Sequence, residues 1–315
     1  MYRGRQIVKV FPKLLFAILR AVISSRIVVV RLPGPIGSLA VMWAVLLRRP
    51  IVAEVVGDVG DVLGAGTLGP FGRRLRYVAV TVTRLSVRRA SAVHYVTDQV
   101  LQDRYPAGRD VPTWAFSDVV IPDDVPDWAG KEARLEIIAV GSQEQMYKGH
   151  DQLIRAVARL RLDVPGVALR LIGDGRCQPR LVALSEELEV SDIVEFSGWL
   201  GHREVFDMVS RAAVFAMPST TEGRPRALVE AMYVGLPAVG TRVGGIVELL
   251  QDEDLVEVGD LDRLCHALRR YLTDQEAANQ ASQRNRRHVE SSLAASARAR
   301  ESWSAGDALA VAATR

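Results

Sequence analysis

At 315 residues, 49% of them apolar, the chain is long enough for two domains of ordinary size, each with a full core. Two cysteines, Cys177 and Cys265, provide no disulfide framework and read as reduced thiols, which fits the cytosol. The net charge of +3 conceals an asymmetry: residues 1–115 carry 17 Lys+Arg against 6 Asp+Glu, a surplus of +11 that leaves −8 for the rest. A basic first half suits an anionic membrane surface or an anionic acceptor, and it equally suits a set of solvated helix faces.

The chain opens on Leu14–Ile23, an apolar run preceded by Arg3, Arg5, Lys9 and Lys13 that imitates a signal peptide. Ten residues that include Arg20 are too short and too charged to span a bilayer, so an amphipathic helix is expected there. Ile27–Leu32 then reads as a strand, Ile36–Leu47 as a helix and Ile51–Val56 as a strand. Gly64 to Gly69 spells G-x-G-x-x-G, the dinucleotide fingerprint, but only a short apolar stretch precedes it and Pro70 follows the last glycine. Without a strand before it and a helix opening inside it, the motif is a weak case for a nicotinamide oxidoreductase. Residues 70–89 read as a helix with Arg73, Arg76, Arg84 and Arg88 near one side: a membrane-surface helix or a plain exposed one. Ala92–Val96 is a strand and Thr97–Arg104 a helix; His94 reads as a core residue rather than a base.

Residues 118–130 hold Pro122, Pro126 and four aspartates, a linker composition that puts a domain boundary near 130. Beyond it, strands are expected at 135–140, 167–172, 193–196, 212–217 and 237–240, with helices between them. Such alternation on both sides of the boundary implies two α/β domains with parallel sheets. From Ala294 the sequence drifts toward a frayed tail.

The most informative stretch is Pro218 to Pro237. The buried-strand run Ala212–Met217 leads into a polar loop, and a helix starts near Pro225 and stops at Gly235 before Pro237. A helix N-terminus after a strand favours an anion, most often a phosphate. Glu222 lies in the loop and Glu230 in the helix, five residues past Pro225, or about 7.5 Å along the axis. That is roughly the span from a diphosphate to a ribose, and the pair reads as a grip on a sugar nucleotide.

The run EGRPRALVEAM, Glu222 to Met232, resembles the Glu-x7-Glu signature of retaining family-4 glycosyltransferases of GT-B fold. Leu135–Ile154, with Lys148-Gly149, is similar to the family's first strand, loop and helix; Leu169–Gly175 and Val194–Leu200 resemble two further family segments in the usual order. The match covers residues 135–300 well and 26–125 more weakly. It implies an α/β, GT-B architecture: two Rossmann-like domains with parallel sheets facing a cleft, as 1–130 on the acceptor side, 131–285 on the nucleotide-sugar side, and 286–315 as a helix crossing back plus the tail. Relatives are expected to place a strand and a Gly-rich loop ahead of the strand matching Ile27–Leu32; neither is seen here, so the first domain is expected to be incomplete.

The resemblance implies that Glu222 contacts the transferred sugar and Glu230 the ribose, while Lys148 stabilises the leaving diphosphate. Gly223, Arg224, Pro225, Arg226, Ala227 and Leu228 would line the sugar and phosphates, and Gly173, Phe196, Gly198 and Trp199 would border the base. Ser142 stands where relatives place an arginine, so Arg224 or Arg226 is expected to compensate. On the acceptor side Asp58 stands in part for a histidine of the family and Thr97 for its small hydroxyl residue. The residues taken alone also allow Glu222 as a capping carboxylate, Glu230 as a helix-surface acid and Lys148 as a surface lysine.

The implied activity is transfer of a sugar from a nucleotide-diphosphate donor to a carbohydrate or lipid-linked acceptor hydroxyl, with retained configuration and with neither metal nor cofactor. The expected setting is cytoplasmic, with a peripheral place on the inner membrane face as an option and no nucleic acid as partner. The alternative is a non-catalytic remnant that binds nucleotide and transfers nothing. Asp252-Glu253-Asp254 and Asp260-Leu261-Asp262 resemble the Asp-x-Asp of metal-dependent transferases, but a late turn and a helix start are where aspartate caps well.

Overall fold

The computed structural model describes residues 4–60, 69–130 and 134–304. The G-x-G-x-x-G stretch from Gly64 to Leu68 therefore lies outside the described residues. The chain divides into two units, one of Met1–Ser117 with Ala295–Arg315 and one of Asp118–Ala294.

The first unit contains α1 (Gly4–Ser24), β1 (Val28–Leu32), α2 (Pro35–Leu46), β2 (Ile51–Val55), α3 (Gly69–Arg88), β3 (Ala92–Tyr95), α4 (Val100–Arg104) and β4 (Thr113–Ala115). The strands form a parallel sheet in the order β1-β2-β3-β4. Val28, Val30 and Leu32 point into a core shared with Ile18 and Val22 of α1 and Val41 and Ala44 of α2. β1 alternates buried with exposed residues, as an edge strand covered on one face does. On the other face Val52 and Ala92 pack with Trp114 and with Trp303 of the last helix, whose ring meets Trp114 edge-on at 5.1 Å.

The second unit runs β5 (Glu136–Val140), α5 (His150–Leu160), β6 (Ala168–Ile172), α6 (Gln178–Glu187), β7 (Val194–Gly198), α7 (His202–Arg211), β8 (Val214–Met217), α8 (Arg226–Val234), β9 (Ala238–Thr241), β10 (Leu255–Val256), α9 (Leu261–Thr273) and α10 (Gln275–Ser304), the last of which ends in the first unit. Six parallel strands take the order β10-β9-β8-β5-β6-β7. Adjacent residues serve opposite cores: Ile137 packs with Leu153, Leu160, Leu181 and Leu268 of α5, α6 and α9, and Ile138 with Phe206, Leu228 and Met232 of α7 and α8. Burial on both faces is why these strands are apolar throughout rather than alternating.

Residues 118–130 pack on this second unit. Trp128 donates from its backbone to Val234 O at 3.0 Å and from Nε1 to Ala212 O at 2.9 Å, and Val119 is buried in the core under α7 and α8.

Candidate functional site

In the six-stranded sheet β5 and β8 are neighbours, with β6 and β7 leading away on one side and β9 and β10 on the other. The chain leaves β5 for α5 on one face and leaves β8 for α8 on the opposite face. Two connections that part in this way open a crevice at the carboxyl ends of the strands, where open α/β sheets bind their ligands.

Close backbone approaches build the walls of this crevice. Gln143 N donates to Asp174 O at 2.7 Å and Gln143 Nε2 to Gly173 O at 2.8 Å, which joins the loops after β5 and β6. A side chain at Gly173, whose φ is 125°, would overlap the Gly141 carbonyl, so only glycine allows the two loops to meet. Met146–Lys148 forms a short 3-10 turn rather than part of the following helix, and Thr220 N donates to Tyr147 O at 2.7 Å to strap that turn to the loop after β8.

Lys148 and Glu222 meet as a result. Lys148 Nζ lies 2.7 Å from Glu222 Oε1, and Ser219 Oγ donates to the same oxygen at 2.7 Å. The side chains are 17% and 9% exposed, so this ion pair is largely withdrawn from water. Thr241 Oγ1 bonds the Ser219 carbonyl, and Gly245 N donates to Gly223 O at 2.7 Å, so the end of β9 braces the Glu222 loop from behind. Beside Lys148, His150 is buried at the start of α5; burial first, then the Lys148 charge, push its pKa down to about 4 against the opposing pull of Asp151.

Pro225 is the N-cap of α8 (φ −75°, ψ 112°) rather than its first helical residue, because its ψ is extended. The first backbone bond of that helix runs from Val229 N to Pro225 O, so the amides of Ala227 and Leu228 precede it and have no acceptor within the helix. Glu230 follows within α8, 12% exposed, with Oε1 3.1 Å from His202 Nε2 at the start of α7. Arg224 is 4% exposed in its side chain; it bonds Ser292 Oγ and faces Glu248 at 4.0 Å. Arg226 is exposed. Ser142 is exposed and its Oγ accepts from Glu144 N at 3.2 Å. The Gly198 carbonyl accepts from Gly173 N at 2.7 Å, Phe196 packs against the core around Ile137, and Trp199 stands 78% exposed at the end of β7.

Asp58 and Thr97 belong to the first unit and are both engaged there. Asp58 Oδ1 accepts from Gly60 N at 2.6 Å and Tyr105 Oη at 2.5 Å and its carboxylate pairs with Arg104, while Thr97 Oγ1 accepts from Leu101 N at 3.1 Å. His94 is buried, bonded to Phe116 O at 3.0 Å and stacked on that ring at 3.6 Å, a core residue. The aspartates near 252 are matched by cations: Asp252 by Arg242, Glu253 by Arg270 and Arg284, and Asp254 by Arg284 and the Tyr271 hydroxyl. Asp260 caps α9 by accepting from Arg263 N at 2.9 Å.

A cavity of about 310 Å³ opens elsewhere, lined by Arg134, Glu136 and Arg170 with Glu204 and Asp207 of α7. It sits at the amino end of β5, and Arg170 there already bonds Glu136, Glu195 and Ser197. The crevice at the carboxyl ends is therefore the better candidate. The sequence reading did not find Ser219, Thr241 and His202; a hydroxyl or an imidazole that serves another side chain carries no spacing signal of its own.

The model of the Glycosyl transferases group 1 family matches residues 122–288, just over half of the chain and all of the crevice. Protein CapJ of Staphylococcus aureus is 24% identical over 265 residues, covering 83% of this chain and 66% of that protein. The putative colanic acid biosynthesis glycosyltransferase WcaL of Escherichia coli strain K12 is 38% identical over 123 residues, which are 37% of this chain and 30% of that one. The chain thus spans less than two thirds of the length of either relative. Among solved structures, Anabaena Alr3699/HepE in complex with UDP-glucose superposes with a TM-score of 0.72 at 19% identity, over 92% of this chain and 82% of that one. That likeness establishes the fold, the α/β GT-B fold of glycosyltransferases with a parallel sheet in each unit. The chain belongs to the Glycosyl transferases group 1 family.

Proposed function

We propose that this protein is a retaining family-4 glycosyltransferase that moves a sugar from a nucleotide-diphosphate donor to an acceptor hydroxyl without a metal ion. The observation that carries the reading is the meeting of Lys148 and Glu222 at the switch point, beside the start of α8. Charge develops on the leaving diphosphate as the glycosidic bond breaks, and a fixed ammonium with backbone donors stabilises it where it forms. Lys148 supplies the ammonium, and the amides of Gly223, Arg224, Ala227 and Leu228 supply the donors. Glu222 keeps Oε2 for a sugar hydroxyl, since Lys148 and Ser219 both bond Oε1. Glu230 takes the ribose, and Gly173, Phe196, Gly198 and Trp199 border the base. Of the two arginines able to replace the cation missing at Ser142, Arg226 is the exposed one, and we assign it that role.

The acceptor hydroxyl attacks from the face the leaving group departs, and the departing phosphate oxygen takes its proton, which is consistent with the lack of a side chain cast as nucleophile. The acceptor is a carbohydrate or a lipid-linked glycan. The helix α3 favours a membrane-bound one: it carries no acidic residue, and Leu75, Tyr77, Val78, Val82 and Leu85 are exposed among its arginines. No helix among the described residues is long and apolar enough to cross a membrane, so the proposed attachment is peripheral, on the cytoplasmic side.

The test is transfer from UDP- and GDP-sugars to a lipid-extract acceptor in excess chelator, with the anomeric configuration of the product read by NMR. A product of inverted configuration, or activity that requires a divalent cation, overturns the reading. Nucleotide binding with no transfer to any acceptor assigns the chain instead as a nucleotide-binding module.

A further inference from the structure

We propose that His202 is a positioning residue for the nucleotide: it fixes Glu230 so that the second carboxylate oxygen takes a ribose hydroxyl. The inference rests on the ribose reading of Glu230 given above. His202 opens α7 and Glu230 lies inside α8, two helices packed on the same face of the six-stranded sheet. Nε2 stands 3.1 Å from Oε1. A carboxylate only accepts, so Nε2 carries the hydrogen and the ring donates. The His202 side chain is 46% exposed, and its inner side rests on the ring of Phe206, 4.8 Å away, one turn further along α7 and buried in the core beneath both helices.

Glu230 is 12% exposed, and among the described residues Oε2 has no bonding partner. A glutamate turning freely about three torsions presents a given oxygen to a ligand in a minority of its rotamers. A charge-assisted bond at Oε1 removes that freedom and aims Oε2. A ribose hydroxyl then satisfies a largely buried carboxylate, whereas a sugar lacking hydroxyls leaves it unpaired, and such an unpaired group is what makes hydrogen-bonded sites discriminate strongly. His202 thus sets selectivity for ribonucleotides without touching the ligand.

The experiment is calorimetric titration of the full chain with UDP, GDP and ADP, each beside its 2′,3′-dideoxy form. The unaltered protein is expected to prefer the ribose form of its nucleotide by roughly tenfold or more. His202→Ala should bring that preference to within about threefold, mainly by weakening the ribose form. His202→Gln, which places an amide N–H where Nε2 stands, should restore most of it. Unchanged melting temperatures separate this loss from a general loosening of α7. If Glu230→Ala abolishes the preference and His202→Ala leaves it intact, the positioning role is overturned and the ribose reading stands. If the unaltered protein shows no preference, the ribose reading fails and the positioning role with it.

Discussion

Two acidic clusters in the second unit invite comparison, because both look in the sequence like the carboxylates of a transferase. Asp254 is fully buried, with one oxygen bonded by the Tyr271 hydroxyl and the other paired with Arg284, while Glu253 is held by Arg270 and Arg284. Glu222 and Glu230 are nearly as withdrawn from water, but each has its described bonds on Oε1 alone. Burial therefore does not separate the two clusters. Free accepting capacity does: both oxygens of Glu253 and of Asp254 are taken by the protein, whereas Glu222 and Glu230 each keep one oxygen without a described bond. Their places in the sheet agree, since the Glu222 loop leaves β8 at the switch point and Asp254 stands at the start of the edge strand β10.

The comparison breaks most directly at Glu222. Glu222→Gln keeps the shape and removes the charge, and transfer should fall roughly 100- to 1,000-fold while nucleoside diphosphate binding changes by less than about threefold. Turnover within tenfold of the unaltered protein would make Glu222 another closed structural acid. Asp254→Ala is the reciprocal case. It leaves the Tyr271 hydroxyl without its acceptor and Arg284 with Glu253 alone, and unfolding by denaturant should show a loss of about 3 kcal/mol. Nucleotide affinity should be unaffected below the unfolding transition; a weaker affinity with unchanged stability would reverse the assignment of the two clusters.

Much of this was legible in the residues. The apolar runs that become β1, β2, β5, β6 and β8 were each bounded by turn residues, and Gly235 marked the end of α8, where its φ of 92° needs glycine. β4 and β10 escaped notice because three and two residues carry no period. The carboxylates could be named from their spacing, but not what holds them. Ser219 stands just ahead of the Glu222 motif and His202 just past the Val194–Leu200 segment, but neither belongs to a pattern, and they gain their meaning only when the sheet brings the loop after β8 and the start of α7 beside Glu222 and Glu230. Arg224 shows the converse: its place in the motif suggested an open cation, and its buried guanidinium bonds Ser292 instead.

His150 tests the same contrast through proton uptake. It is buried beside the Lys148–Glu222 pair, and its pKa falls from 6.5 to about 4, first through burial and then through the Lys148 charge. Between those values the unfolded chain binds the proton and the folded chain does not, so stability declines as pH drops from about 6.5 and levels off near 4. The loss should approach about 3 kcal/mol in chemical denaturation curves taken across that range. His150→Asn should flatten this part of the pH dependence. If the slope persists unchanged in the variant, another group carries the titration and the buried imidazole is protonated in the fold.

The smallest expected effect is at Ser219, and it is the finest probe of how the open acid is held. Its hydroxyl and the Lys148 ammonium both bond Glu222 Oε1, so removing the hydroxyl leaves the carboxylate anchored by one donor instead of two. Ser219 is fully buried, and alanine fits its space. A hydrogen bond to a charged group contributes about 1.5–3 kcal/mol at most, and the remaining ammonium retains part of that anchoring. Transfer by Ser219→Ala should therefore fall roughly five- to tenfold, with nucleoside diphosphate affinity unchanged. A loss as large as that of Glu222→Gln would mean that the hydroxyl, rather than the ammonium, sets the position of the carboxylate, and Lys148 would then be free to act on the diphosphate alone.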